Sequence, residues 1–238
     1  MSSFAIKIAA MASMLADYAG CRFEYEMPQA VYLLCRTAGS LAMPLFCFLI
    51  AEGLFHTRDV RKYLLRLAIF AAVSEVPFDL CNSGAALDWS RQNPGFTLLL
   101  GLLGILLFDS FAAQGHKGAA LVAVLAAALF ATFIYADFQG FGVYFVFIFY
   151  RFRGNFRALS FTLGAGLLCL AAYIWMASGL IARPEAFVSV AGMAALLPIR
   201  AYSGRRGPDR LPVRFAMYAF YPVMLVSLYA AWTVMFPA

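Results

Sequence analysis

Residues 30–55 read AVYLLCRTAGSLAMPLFCFLIAEGLF. Within this run only Arg36 and Glu52 are charged. The apolar residues do not alternate with period two, so this is not the pattern of a barrel strand. A helix needs about 20 residues to cross a hydrocarbon core, and this stretch exceeds that. A helix also satisfies its own backbone in lipid. The stretch therefore predicts a membrane span, and its two charges need an explanation.

The whole chain agrees. It has 238 residues, of which 64% are hydrophobic and 13% charged, with a mean hydropathy of +0.81. Soluble domains average roughly 45–50% apolar and about 25% charged residues. The 16% aromatic content suits a chain with two membrane interfaces to occupy. Nine runs are long or apolar enough to be considered as spans: 4–20, 30–55, 62–80, 96–111, 118–136, 138–150, 158–178, 186–200 and 214–236. The fourth, sixth and eighth are short. No gap accommodates a soluble domain. The expectation is one all-α domain over 1–238, a polytopic transmembrane helical bundle of about nine spans (eight to ten). The first run is read as a retained span and not a cleaved leader, because Asp17 sits where a cleavage region would be.

Basic residues test the count. With the N-terminus in the cytoplasm, the predicted inner loops and flanks hold thirteen of them: Arg58, Arg61, Lys62, Arg66, Lys117, Arg151, Arg153, Arg157, Arg200, Arg205, Arg206, Arg210 and Arg214. The predicted outer loops hold three, Arg22, Arg91 and Arg183. This asymmetry follows the positive-inside rule. It supports nine spans in a bacterial inner membrane, N-terminus cytoplasmic and C-terminus outside. The net charge of +6 is then a topology signal and no nucleic-acid partner is expected. Cys21, Cys35, Cys47, Cys81 and Cys169 are scattered without metal-ligand spacing, so they read as packing residues and no metal is expected.

Ionisable residues inside spans are costly and mark functional sites. Asp17, Arg36, Glu52, Glu75 and Asp79 meet that description. The topology sorts them into an outer group (Asp17, Arg36, Glu75 and Asp79) and an inner group (Glu52, His56, Arg58 and Arg66). Arg36 has two candidate partners, Asp17 and Glu75, since a buried charge demands one. Three carboxylates for one arginine predict a polar cavity. Glu52 and His56 lie four apart on one helical face and could handle protons. Arg58, Arg61, Lys62 and Arg66 could contact phosphates or serve topology alone. His116, in the short loop QGHKG, is expected to have no special role.

Several stretches together resemble the TraX family along nearly the whole chain. They are IKIAAMASMLADYAG (6–20), CRTAGSLAMPLFCFLIAEGLFHTRDVRKYLLRLAIFAAVSEVPFDL (35–80), FTLLLGLLGI (96–105), ADFQGFGVYFVFIFY (136–150), RAYSGRRG (200–207) and FAMYAFYPVMLVSLYA (215–230). The residues that match the family pattern are Asp17, Arg36, Gly39, Pro44, Glu52, Gly53, Arg66, Glu75, Phe78 and Asp79. The founding member is an inner-membrane protein of a conjugative plasmid that acetylates the N-terminus of pilin. The resemblance implies acyl transfer at the membrane, with acetyl-CoA as co-substrate and a pilin-like or other amine or hydroxyl acceptor. On that basis Asp17 would orient the acceptor, with Tyr18 donating to the developing oxyanion. Arg36 would keep the outer acids ionised, among them Glu75 and Asp79. Glu52 and His56 would form the proton-handling pair. Arg58, Arg66, Arg205 and Arg206 would meet CoA phosphates.

The chain departs from the family at telling places. The first span usually ends in Asp-His and here ends in Asp17-Tyr18. GR-x-A-F-P appears as GSLAMP, with Ser40 and Met43 substituted. F-Y-P-x-H-L appears as FYPVML, with Met224 for histidine. Transfer to an amine needs a base; tyrosine is a poor one near neutral pH and methionine is none. Three readings follow: an enzyme using Asp17, Glu75 or Glu52–His56 as base, a TraX-like protein that binds a CoA ligand or partner without turnover, and a small-solute carrier. The carrier is weakened because the sequence shows no paired broken helices or inverted repeat.

Overall fold

The computed structural model describes residues 1–177, 184–205, 207–208 and 211–236. The described residues form an all-helical bundle: α1 Ser3–Arg22, α2 Gln29–Gly39, α3 Ala42–His56, α4 Val60–Ser83, α5 Pro94–Ala113, α6 Lys117–Phe133, α7 Gln139–Arg151, α8 Phe156–Ala177, a 3₁₀ helix Pro184–Ala195, α9 Leu196–Arg200 and α10 Leu211–Met235. Local chemistry sets several boundaries. The Asp59 side chain accepts from Lys62 N and caps α4, and Gly84, at φ +75°, ends it. Pro94 opens α5 behind the Asn93 cap.

Five segments are long and apolar enough to cross a membrane: Ser3–Arg22, Gln29–His56, Pro94–Ala113, Phe156–Ala177 and Leu211–Met235. The chain is thus an integral membrane protein. The other expected spans are present as helices with distinct characters. α4 has the length, at 24 residues, but carries Arg61, Lys62, Arg66, Glu75 and Asp79. α6, with 17 residues, is apolar but shorter. α7 has 13 residues, about 20 Å of helix, and packs against α3, α5, α6 and α8. Its Val143, Phe145, Val146, Ile148 and Phe149 are buried, so it is a core helix of the bundle. The run 186–200 is divided between the 3₁₀ helix and α9.

The 30–55 run is not one straight helix. Ser40 and Leu41 keep right-handed helical dihedrals but separate α2 from α3. Pro44 is the physical reason. It has no N–H for the carbonyl of Ser40, and its ring crowds that carbonyl. Gly192 of the 3₁₀ helix packs there instead; a Cβ on it would meet Ser40 O at 2.9 Å.

The loops sort to two ends. Met1 donates its amino group to Ala201 O, and Ser3 N donates to Arg205 O at 2.8 Å. Glu52 meets Arg153 there as well. This is the basic end. At the other end Arg22 lies over the Trp232 ring, 4.0 Å from its centroid, and Phe23 meets Phe236. Gln92 N donates to Tyr135 O at 3.1 Å and Asp137 N to Gln92 O at 2.9 Å. Met1 and Phe236 therefore lie at opposite ends of the bundle.

Candidate functional site

The charged residues gather at both ends, in three arrangements. The first lies between α1 and α2. Arg36 Nη1 donates to Asp17 Oδ1 and also reaches Cys21 Sγ at 2.8 Å. The two expected partners of Arg36 are thereby distinguished, because Glu75 is engaged elsewhere. Gly39 lets the helices close on this pair, since a Cβ there would lie 2.7 Å from Asp17 Cα. Replacing Arg36 by alanine should leave a carboxylate unpaired in the bundle. We expect a loss of about 2 kcal/mol, between the values for interhelical contacts in lipid and for fully buried pairs. Asp17→Asn/Arg36→Ala should recover part of it in thermal unfolding in detergent. A double variant no more stable than Arg36→Ala would contradict this.

Beside the pair, Tyr18 and Tyr221 share a hydrogen bond of 2.7 Å. Tyr18 packs against a buried cluster of Met14, Ala42, Phe78, Cys81, Tyr221, Met224 and Leu225. Tyr18 and Met224, the two positions where the resemblance implies histidines, are brought to one cluster by the fold. Two departures distant in sequence are therefore one change in space. Arg91 and Asp137, from two loops, pair at 2.6 Å. Both lie within electrostatic reach of Asp17 and Tyr18. Asp137 raises Arg91 above the ordinary arginine range and fixes its charge.

The second arrangement is on α4. Glu75 Oε2 accepts from both the backbone N of Asn93, at 3.1 Å, and its side-chain Nδ2. Glu75 Oε1 is buried without a hydrogen bond. Asp79, 2% exposed, accepts from Asp88 N at 2.9 Å. Glu75, Asp79, Leu87, Asp88 and Trp89 line a pocket of about 20 Å³. Asp88, in the loop, lies below the usual carboxylate range because Ser90 N donates to it. The four outer charges expected around one cavity thus divide between the α1–α2 contact and this small pocket. A larger groove, about 560 Å³, runs between α6, α7 and α8 and is lined by none of the expected site residues.

The third arrangement is at the basic end. Glu52, 7% exposed, is gripped by a fork: Arg153 Nε to Oε2 at 3.0 Å and Nη2 to Oε1 at 3.1 Å. His56 Nδ1 donates to Glu52 O at 3.0 Å and lies 3.5 Å from Oε1. In that tautomer Nε2 is the basic nitrogen. The Glu52–His56 contact expected from the i,i+4 spacing is present, but the stronger partner of Glu52 is Arg153, brought from a remote loop. Those hydrogen bonds raise Arg153 above the ordinary arginine range. Arg58, Arg66 and Arg205 are exposed and make no ion pair among the described residues. Arg206 lies outside the described residues. The described His, Cys, Asp and Glu residues include no group able to hold a metal ion.

Sequence reasoning passed over Asn93, Arg91, Asp137, Asp109, Tyr150 and the pairing of Arg153. Asp109 carried a signal, being a carboxylate inside the apolar run 96–111. Tyr221 lay in the quoted FYP motif. Tyr150 stands in the last turn of α7 and the others in loops, and only the fold shows what they meet.

A polytopic helical membrane protein with polar groups at both ends is the class these features define. The TraX protein family model matches residues 2–231, and the chain belongs to the TraX family. It is 31% identical over 244 residues to a protein of Dichelobacter nodosus described as "Probable fimbrial assembly protein FimC, serogroup H1", covering 97% of this chain and 95% of that one. No solved structure matches.

Proposed function

We propose that this protein transfers an acyl group, acetyl from acetyl-CoA, to an amine or hydroxyl acceptor at the bacterial inner membrane. A pilin-like N-terminus is the first candidate acceptor. Family membership and the fimbrial-assembly relative support the reading. The observation that carries it is the Glu52–His56–Arg153 group at the basic end. By the positive-inside rule that end faces the cytoplasm, where acyl-CoA is found. The N-terminus is then cytoplasmic and Phe236 is outside.

In the reaction the acceptor nitrogen attacks the thioester carbonyl carbon, forming N–C as C–S breaks. His56 Nε2 takes the amine proton and returns it to the CoA thiolate. Arg58, Arg66, Arg205 and Arg206 attract the CoA phosphates. Asp17, with Arg36 beside it, and Tyr18 lie at the opposite end from His56 and so engage the acceptor away from its reacting amine, with Glu75 and Asp79 adding negative charge at that end. A second reading has one observation in its favour. Tyr18 bonded to Tyr221, with Met224 in the same cluster, replaces two bases by none. That suits a TraX-like protein that binds its ligand without turnover.

Purified protein in detergent separates the two. Acetyl-CoA should bind and its thioester should hydrolyse slowly. His56→Ala should reduce hydrolysis about a hundredfold, as loss of a general base does. Binding without hydrolysis in either form would favour the second reading. No binding would remove both.

A further inference from the structure

Arg153 stands in the turn between α7 and α8, yet its guanidinium is held from several sides. Its fork takes both oxygens of Glu52. It lies over the Phe55 ring, 4.3 Å from the centroid. Phe55 stacks on Tyr150 at 5.2 Å and 11°, and the Tyr150 hydroxyl donates to Asp109 Oδ2 at 2.6 Å. A chain of contacts thus joins α3, α5 and α7 and fixes the plane of the guanidinium. A topology arginine needs no such support.

The chemistry at Glu52 gives the arrangement a purpose. A buried carboxylate needs a cationic or hydrogen-bonding partner. Glu52 Oε1 lies between two, Arg153 Nη2 at 3.1 Å and His56 Nδ1 at 3.5 Å. Removing Arg153 leaves His56 as the ion-pair partner of Glu52 among the described residues. The carboxylate would then compete with the Glu52 carbonyl for Nδ1–H and pull the ring from its present position. We propose that Arg153 is a positioning residue for the acyl transfer: it satisfies Glu52, so that His56 keeps Nδ1–H on the Glu52 carbonyl and Nε2 in place as the accepting nitrogen. This rests on the acyl-transfer reading, and Arg153 acts through Glu52 without touching the reacting atoms.

The test uses the fact that the chain has two histidines. In a His116→Gln background, diethylpyrocarbonate modifies His56, and mass spectrometry reads the rate at pH 7. Arg153→Gln should slow modification about threefold or more as the unpaired Glu52 carboxylate takes hold of the ring. Arg153→Lys should stay near the parent, and Glu52→Gln/Arg153→Gln should return toward it. In acetyl-CoA hydrolysis Arg153→Gln should lower kcat about tenfold with little change in KM. A structural role alone would not be suppressed by removing the carboxylate. Should Arg153→Gln not fold, the lysine and double variants carry the comparison. Unchanged His56 reactivity in a folded Arg153→Gln protein, or a double variant as slow as the single, overturns the proposal. The expected reactivity pattern with a parent idle on acetyl-CoA would defeat the acyl-transfer reading and leave the Glu52 partition standing.

Discussion

Replacing Gly39 by valine should abolish the docking of α1 on α2. A Cβ at this position would sit 2.7 Å from Asp17 Cα, and real Cβ atoms do not approach backbone so closely. The obstacle is main chain, so no rotamer change relieves it. The helices must separate, and the Asp17–Arg36 pair between them must lengthen or break. We expect a loss of about 3 kcal/mol, at the upper end for overpacked sites, together with whatever function depends on Asp17. Gly118→Ala is the control. Nothing lies within 4 Å of a Cβ there, and in α6 alanine should be neutral or stabilising by about 1 kcal/mol. Thermal unfolding of the two variants in detergent checks this. A Gly39→Val protein as stable as the Gly118→Ala protein would mean that the α1–α2 contact is wrong.

Asn93→Ala should be comparably damaging for a different reason. Asn93 is fully buried. Its Nδ2 donates to Ala71 O at 2.8 Å and to Glu75, and its Oδ1 accepts from Gly95 N at 2.8 Å. One side chain thus ties the middle of α4 to the first turn of α5 and partners a membrane carboxylate. Alanine would strand these groups at once. Each unsatisfied buried group costs about 1–3 kcal/mol, so the total should reach about 3 kcal/mol. Adding Glu75→Leu should recover part of it, because the carboxylate that needs Asn93 is gone. No recovery in the double variant would show that Glu75 does not depend on Asn93.

Much of this architecture could be read in the chain because lipid imposes simple rules. Apolar length marked the helices, and the arginine loops sorted to one end without any knowledge of packing. The break between α2 and α3 at Ser40 and Leu41 was also encoded, by Pro44, though its presence in an apolar run hid it. The pairings were harder to read. Arg36 had two plausible partners in sequence, and only the contact across Gly39 chooses Asp17. Glu52 and His56 share a helical face, so their contact was legible, whereas Arg153 comes from a distant loop. Tyr18 and Met224 each looked like an isolated substitution, and the helix packing makes them neighbours in one cluster. Spacing along a helix is local information; partners across helices depend on packing that no single stretch contains.

The central claim is acyl transfer from acetyl-CoA. Its most direct test is to incubate the reconstituted protein with isotopically labelled acetyl-CoA and a pilin-like acceptor from the same cells, then to sequence the acceptor by mass spectrometry. One labelled acetyl group on the acceptor's N-terminal amine, dependent on the protein and lost with His56→Ala, is the predicted result. An acceptor that stays unlabelled while acetyl-CoA remains intact and unbound would contradict the account.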